Sequence, residues 1–381
     1  MNKVYKKIDE MAEQYFCVWE DVVNIESPTK YKEGVDKVSA YFAGLAEKRG
    51  WKIERSKQDV SGDVVCITMN PDSKEKPLTL SGHIDTVHPV GMFGTPAAHR
   101  DEERIYGPGA TDCKGGVVAA FMAMDILEQC GFESRPVRLI MQTDEETSST
   151  TSGGKTIEYI CEKSKDSALF LNLETYTAGK ATLSRKGIVS YRFDVEGKEG
   201  HSSRCATEGA NAIVDASHKI IELDKFKDDE GITCSCGIVS GGTVLNTIAG
   251  KCTFSVNFRY ATNEQLAFIE YFVKNLASTA HVPGCKCTYE KISKRPSMEK
   301  KEETVKALEK VNKIFAQYGI PTLEGRSLRG GSDAAYITQC GIPCMDSLGT
   351  SGSGSHSIKE CAILQSLLDS VKRIVTIAYN I

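Results

Sequence analysis

Apolar positions along the first half of the chain switch repeatedly between helical and strand-like spacing. Ile8, Met11, Phe16, Trp19, Val22 and Val23 recur at three- and four-residue intervals across residues 5–23, the stripe of an amphipathic helix. Ser27-Pro28 breaks it. A second helix is predicted over residues 34–49, with Val35, Val38, Phe42 and Leu45 on one face and Gly50 as its stop. Strands follow near 52–55 and 64–69, and an apolar run at 77–80 leads into Ser81-Gly82-His83-Ile84-Asp85. Residues 116–130 read as a helix, 137–143 as an apolar strand, 155–163 as a helix and 168–173 as a strand. Strands alternating with helices predict an α/β fold, a mainly parallel central sheet with helices on both faces.

Near residue 187 the period changes. Residues 188–196 alternate like a strand with one wet face. A helix at 211–223, strands near 233–240 and 252–259, a helix at 263–280 and a strand at 286–291 follow. This predicts an α+β domain over 187–293, inserted between the two parts, 1–186 and 294–381, of the α/β domain. The charge-rich stretch 291–303 reads as a solvated connection. The rest predicts a helix at 305–318, a short helix after Gly330-Gly331-Ser332-Asp333, a strand at 343–348 and a closing apolar helix at 361–378.

Composition excludes several classes. The 381 residues are 40% hydrophobic and 26% charged, ordinary for a globular protein of this length. A net charge of −4 with both signs interspersed leaves no footprint for nucleic acid and no polybasic membrane anchor. No run of 18 apolar residues predicts a transmembrane helix, and the charged stretch up to Asp21 lacks a signal-peptide core. The 14 cysteines are therefore read as reduced thiols in a cytoplasmic protein. They form no pair of C-x-x-C elements, which removes a zinc-finger reading. Gly107-Pro108-Gly109 resembles a dinucleotide loop only superficially, because no third glycine is in place and no βαβ unit leads into it.

The chemistry gathers where strands are predicted to end. His83, Asp85, Asp112, Glu145, Glu146, Glu174 and His356 are the polar residues of those ends and loops, and open α/β sheets bind ligands beyond the carboxyl ends of their strands. Taken singly, the signals are ambiguous. His83 and Asp85 alone read as a structural pair before they read as a ligand with its orienting carboxylate, and Asp144-Glu145-Glu146 reads as an exposed acidic turn. Taken together, five of the residues suit a dinuclear site: one bridging carboxylate, and one His and one further carboxylate for each ion. Mixed imidazole and carboxylate ligands suit Zn²⁺, Co²⁺ or Mn²⁺ rather than Ca²⁺. Neighbouring acids in an apolar cleft repel unless a cation is near. One of them can then ligate while the other stays free as a base.

The motifs GHIDTV (82–87), GPGATDCKGG (107–116), TDEE (143–146), NLE (172–174), GHSS (200–203) and GSDAAY (331–336) together resemble the zinc aminoacylase and carboxypeptidase G family of metallopeptidases. Its relatives include succinyl-diaminopimelate desuccinylase, acetylornithine deacetylase and peptidase T. The stretch 330–356 is most similar to the carboxypeptidase G branch. The resemblance implies two Zn²⁺ per subunit, with Co²⁺ or Mn²⁺ as substitutes. His83 and Glu174 would hold one ion, Glu146 and His356 the other, and Asp112 would bridge them, next to a cis peptide to Cys113. It implies that Asp85 orients His83 and that Glu145 is the general base and acid. Residues 187–293 would be a lid and dimerisation domain, giving a homodimer. In that lid His201 would polarise the scissile carbonyl, and Asn246 and Arg259 would contact the carboxylate end of the substrate, with the loop at Gly331 closing the other side. Cys113 departs from the acidic or Met residue common at its position.

The implied activity is hydrolysis of an amide bond next to a free carboxylate, on a small molecule or short peptide. An N-acyl amino acid deacylase and a catalytically silent dimeric scaffold are the competing readings. Arg259, at a predicted strand end, reads as a structural ion pair as well as a carboxylate clamp. His88, His99, His218 and His281 have no motif context and receive no role.

Overall fold

The computed structural model describes all residues from Met1 to Ile381. They form two compact units: one of Met1–Leu183, Lys300–Ser327 and Ser332–Ile381, the other of Ser184–Glu299 with Leu328–Gly331.

The first unit is built on a six-stranded sheet in the order Lys52–Ser56, Val64–Met69, Val137–Gln142, Leu78–His83, Leu169–Asn172, Cys344–Met345. The last four strands run parallel. The first two pair antiparallel, because the short link at residues 57–63 reverses the chain and leaves no room for a crossover helix. Val64–Met69 and Leu78–His83 are buried along their whole length, the pattern of strands covered on both faces. The helix Lys114–Gln129 is apolar nearly all round and buried from Lys114 to Leu127. It packs on the sheet and under the helices Asn2–Asn24 and Leu364–Asn380. The helices Lys155–Ser164 and Ala334–Gln339 form the other layer.

In the second unit four antiparallel strands lie in the order Thr233–Gly241, Lys251–Tyr260, Gly187–Glu196, Lys286–Arg295. Val189, Tyr191, Phe193 and Val195 alternate with wetter neighbours, as do Phe254, Val256, Phe258 and Tyr260. Their shared face is covered by the helices Ala212–Asp224 and Asn263–Ser278. Each helix is capped from its own sequence: Asn211 accepts from the N–H of Ile213 and Val214, and Thr262 from that of Gln265. The fold is the expected one, a mostly parallel sheet with helices on both faces plus a separate α+β unit.

Three local expectations change. The stretch 291–303 is not a solvated connection at its start. Lys286–Arg295 goes on pairing with Gly187–Glu196 as far as Arg295, across a register shift between Lys291 and Ser293, and both Arg295 and Met298 are buried. The expected strand at 343–348 shrinks to Cys344–Met345. The closing helix starts only at Leu364. Cys361–Ile363 is instead a strand, pairing with Arg104–Tyr106 and Gly352–Ser353 in a small antiparallel sheet. All fourteen cysteines are free thiols, and no helix is long and apolar enough to cross a membrane.

Candidate metal centre

His83 closes the buried strand Leu78–His83, and its ring is 2% exposed. Glu145 and Glu146 open a single 3₁₀ turn just beyond Val137–Gln142, and Glu174 follows the end of Leu169–Asn172. Parallel neighbouring strands thus deliver these side chains to one end of the sheet, just past their carboxyl ends. Asp112 stands in the loop before the helix Lys114–Gln129, and its peptide bond to Cys113 is cis. Gly116 lets that helix sit against the neighbouring strand end, since a Cβ there would lie 2.1 Å from the Leu173 carbonyl oxygen. His356 comes from the loop after Gly352–Ser353, with φ at 63° in the left-handed region that few non-glycine residues occupy.

These side chains converge. His83 Nε2 lies 3.1 Å from Asp112 Oδ1 and 3.8 Å from Glu174 Oε1. His356 Nε2 lies 3.4 Å from Asp112 Oδ2 and 3.3 Å from Glu146 Oε2. The Asp112 carboxylate therefore stands between the two imidazoles. His83 Nδ1 is 3.0 Å from the Asp85 backbone carbonyl and 3.5 Å from Asp85 Oδ1. A carbonyl only accepts, so Nδ1 carries the hydrogen and Nε2 turns toward the acids. The Asp85 carboxylate is fully buried and accepts from the Thr29 hydroxyl at 2.7 Å and from the backbone N–H groups of Glu145 and Glu146, each at 3.2 Å. Asp85 thus ties the His83 segment to the Glu145-Glu146 turn. That turn is not an exposed acidic one: Asp144 is buried and accepts from Thr156 Oγ1 and the Ser152 N–H.

The electrostatics follow from crowding acids in a dry place. Burial, with the Asp112 and Glu145 charges, raises Glu146 to about 8 against the pull of His83. Burial likewise lifts Glu174 well above the usual carboxylate range. For Asp112 burial acts upward too, but the imidazoles of His356 and His83 outweigh it and hold the group far below that range. His356 is raised to about 9, chiefly by its contact with Asp112. Burial lifts the Cys113 thiol to about 12.

This donor set fits divalent cations. Three carboxylates and two imidazoles meet in one cluster, and with Nδ1–H of His83 already used, its Nε2 faces a carboxylate oxygen. Two such acceptors need a proton or a cation between them. The ligand atoms of His83, Asp112 and Glu146 lie within 4.8 Å of one another, as do those of His83, Cys113 and Glu174.

The remaining candidates belong to the second unit. His201 is exposed at the end of a short strand paired with Thr247-Ile248. Its Nδ1 accepts from the Ser203 N–H at 3.3 Å and lies 2.8 Å from Ser203 Oγ, which leaves Nε2 as the N–H donor. The backbone carbonyl of Asn246 accepts from the Ser202 N–H at 3.0 Å, so Asn246 and His201 are neighbours. Arg259, near the end of Lys251–Tyr260, reaches the Arg329 carbonyl at 3.5 Å. Gly331 meets Arg295 so closely that a Cβ would lie 2.7 Å from Arg295 Cδ. Two buried polar residues lie beside the cluster: His88, which received no role from the sequence, and Glu360, which escaped the sequence reading. Neither stands in a motif, and the only hint is that Glu360 follows His356 by four residues.

Comparison with known proteins bears on the family of the chain. The profile of Peptidase family M20/M25/M40 matches residues 79–380. Carboxypeptidase G2 of Pseudomonas sp. (strain RS-16) is 28% identical over 346 residues, 89% of this chain and 82% of that protein. Acetylornithine deacetylase of Myxococcus xanthus is 29% identical over 250 residues, 61% of this chain and 63% of that protein. Among solved structures, aminopeptidase PepT from Bacillus cereus ATCC 10987 superposes with a TM-score of 0.79 at 18% identity, covering 97% of this chain and 98% of that one. The M20 family metallo-carboxypeptidase Sso-CP2 from Sulfolobus solfataricus does so with a TM-score of 0.69 at 16% identity, covering 96% and 98%. The chain belongs to peptidase family M20/M25/M40 and is a metal-dependent hydrolase of that family.

Proposed function

We propose that the enzyme hydrolyses an amide bond next to a free carboxylate, as a carboxypeptidase acting on a small molecule or short peptide. The observation that carries this reading is the convergence of three acids and two imidazoles, with Glu145 beside them and outside the expected ligand set. The similarity to carboxypeptidase G2 supports the carboxypeptidase class. His83 and Glu174 would hold one Zn²⁺, His356 and Glu146 the other, and Asp112 both. Co²⁺ or Mn²⁺ suits the same donors. Bound there, such cations supply Lewis acidity to a water and to an amide carbonyl.

The chain's own residues do the rest. Glu145, 8% exposed, takes a proton from the attacking water on its carboxylate and passes it to the leaving amide nitrogen. Asp85 keeps the His83 ring and the Glu145 backbone in a fixed relation. His201, with Nε2–H as donor, stabilises negative charge growing on the carbonyl oxygen. Asn246 and Arg259 bind the substrate's free carboxylate, and Gly331 keeps the adjoining loop close to Arg295. The second unit, over about residues 187–293, serves as lid and as the contact of a homodimer.

Glu145→Gln tests the core of this reading. Turnover is expected to fall by about 10²–10⁴-fold while the metal content measured by atomic emission stays at the parent level. A variant that kept parental turnover would remove Glu145 as the base. The similarity to acetylornithine deacetylase favours a second reading, N-deacylation of acyl amino acids. A panel of C-terminal glutamyl amides and dipeptides against N-acetyl and N-succinyl amino acids separates the two by kcat/KM.

A further inference from the structure

Glu360 lies outside the ligand set and is 1% exposed. A buried carboxylate requires partners for its oxygens, and this one has four. Oε1 accepts from the backbone N–H groups of Thr111 at 3.1 Å and Asp112 at 3.0 Å. Oε2 accepts from the N–H of Gly109 at 3.2 Å and from His88 Nε2 at 2.8 Å. The backbone carbonyl of Glu360 also accepts from the Gly107 N–H at 3.2 Å. Backbone amides aimed together at one anion form a nest, and hydrogen bonds to an ionised acceptor are among the strong ones.

The four partners are not a local cluster. Gly109, Thr111 and Asp112 belong to the loop before the helix Lys114–Gln129, His88 follows His83 and Asp85 on the next segment, and Glu360 itself ends the loop that begins near His356. One carboxylate therefore joins the three segments that carry His83, Asp112 and His356. None of its hydrogen bonds goes to an expected ligand atom, since its partners are backbone amides and one imidazole.

We propose that Glu360, assisted by His88, is a positioning residue of the metal centre. It fixes the Asp112 backbone and, through it, the carboxylate that stands between the two imidazoles. The inference rests on the metallo-hydrolase reading above. Groups that orient metal ligands from behind set metal affinity as well as activity, typically by 10–100-fold.

Glu360→Gln keeps the shape but turns an amide NH₂ toward a backbone N–H, so at least one of the four contacts is lost. In the full chain it is expected to weaken Zn²⁺ binding by about 10–100-fold, read by competition with a chromophoric chelator. Turnover should fall at limiting Zn²⁺ and largely recover at saturating Zn²⁺, with KM near the parent value. His88→Phe removes a single contact and should shift affinity the same way by less; it carries the test should Glu360→Gln fail to fold. Parental Zn²⁺ affinity in a folded Glu360→Gln, or in His88→Phe when that variant carries the test, overturns the proposal. So does a loss confined to the melting temperature of the chelator-treated protein. A parent that bound no divalent cation would instead sink the metal reading itself, whereas a parent with two ions beside an unchanged Glu360→Gln sinks only the positioning role.

Discussion

Acids crowded into a dry cluster keep protons that an isolated carboxylate gives up at pH 7. Glu146, raised to about 8 chiefly by burial, and His356, raised to about 9 by Asp112, both carry a proton at neutral pH when no cation is present. A metal ligand must be deprotonated, so cations compete with those protons. Both pKa values are raised, so the competition weakens as pH rises. Binding is expected to release protons at pH 7, to release fewer above about pH 9, and to tighten between those limits. Calorimetric titration with Zn²⁺ in two buffers of different ionisation heat checks this: the apparent enthalpies should differ at pH 7 and approach each other above pH 9. Equal enthalpies at pH 7 would mean that the cluster reaches its cations already deprotonated. Asp85 belongs to the same scale. Its carboxylate accepts from Thr29 and two backbone amides, which holds it in place behind His83.

At the scale of elements, three helices are tied by one buried acid. Asp125, in the middle of the helix Lys114–Gln129, accepts from the Tyr15 hydroxyl at 2.5 Å in the first helix and from Arg49 Nε at 3.0 Å just after the second. Burial alone would raise its pKa, but Arg49, Tyr15 and Gln129 outweigh it and the folded value is lowered. A depressed carboxylate stabilises the fold above its unfolded pKa of about 4 and loses that contribution as pH falls through the folded value. Asp125→Ala is therefore expected to cost about 3–5 kcal/mol at pH 7, the range for stranding one member of a buried ion pair. The gap between parent and variant in denaturant melts should narrow below about pH 4. A gap that stayed constant with pH would show that the loss comes from packing and not from charge. The helices and central strands were legible in the sequence because long apolar runs and stripes leave a clear period, as in Val64–Met69 and Lys114–Gln129. The ligand-bearing loops were legible because His, Asp and Glu stand just past those runs. The strand Cys361–Ile363 was not, since three residues cannot display a period. Arg295 was not either, because a charged residue enters the core there through a ladder set by a distant strand. Glu360 was invisible for a third reason: it acts on backbone amides, which every residue type offers.

At the scale of the whole molecule, the second unit presents an apolar strand edge to solvent. Beyond Thr233 and Cys234, which also meet Lys227 and Phe226, the strand Thr233–Gly241 is paired on one side only, with Lys251–Tyr260. Ile238 and Val239 on it are 67% and 61% exposed, and Leu245 on the following loop is wholly exposed. The adjoining helix Ala212–Asp224 leaves Ile221 60% exposed. An open strand edge with apolar side chains is a template for another strand. A second copy presenting the same edge antiparallel can satisfy both at a twofold axis, which is the contact proposed for the homodimer. The same loop bears on chemistry: Leu245 precedes Asn246, whose carbonyl holds the Ser202 amide next to His201. A change of assembly at this edge should therefore be felt at His201. Ile238→Lys with Leu245→Asp is expected to halve the mass seen by light scattering at micromolar concentration. The far-ultraviolet circular dichroism should be preserved, because both side chains already stand in solvent in the single chain. Turnover should fall with the mass while Zn²⁺ content holds, because the expected ligands all lie in the first unit. A variant that is monomeric and fully active would detach assembly from catalysis and leave His201 to work within its own chain. A parent that is itself monomeric would remove the twofold contact altogether.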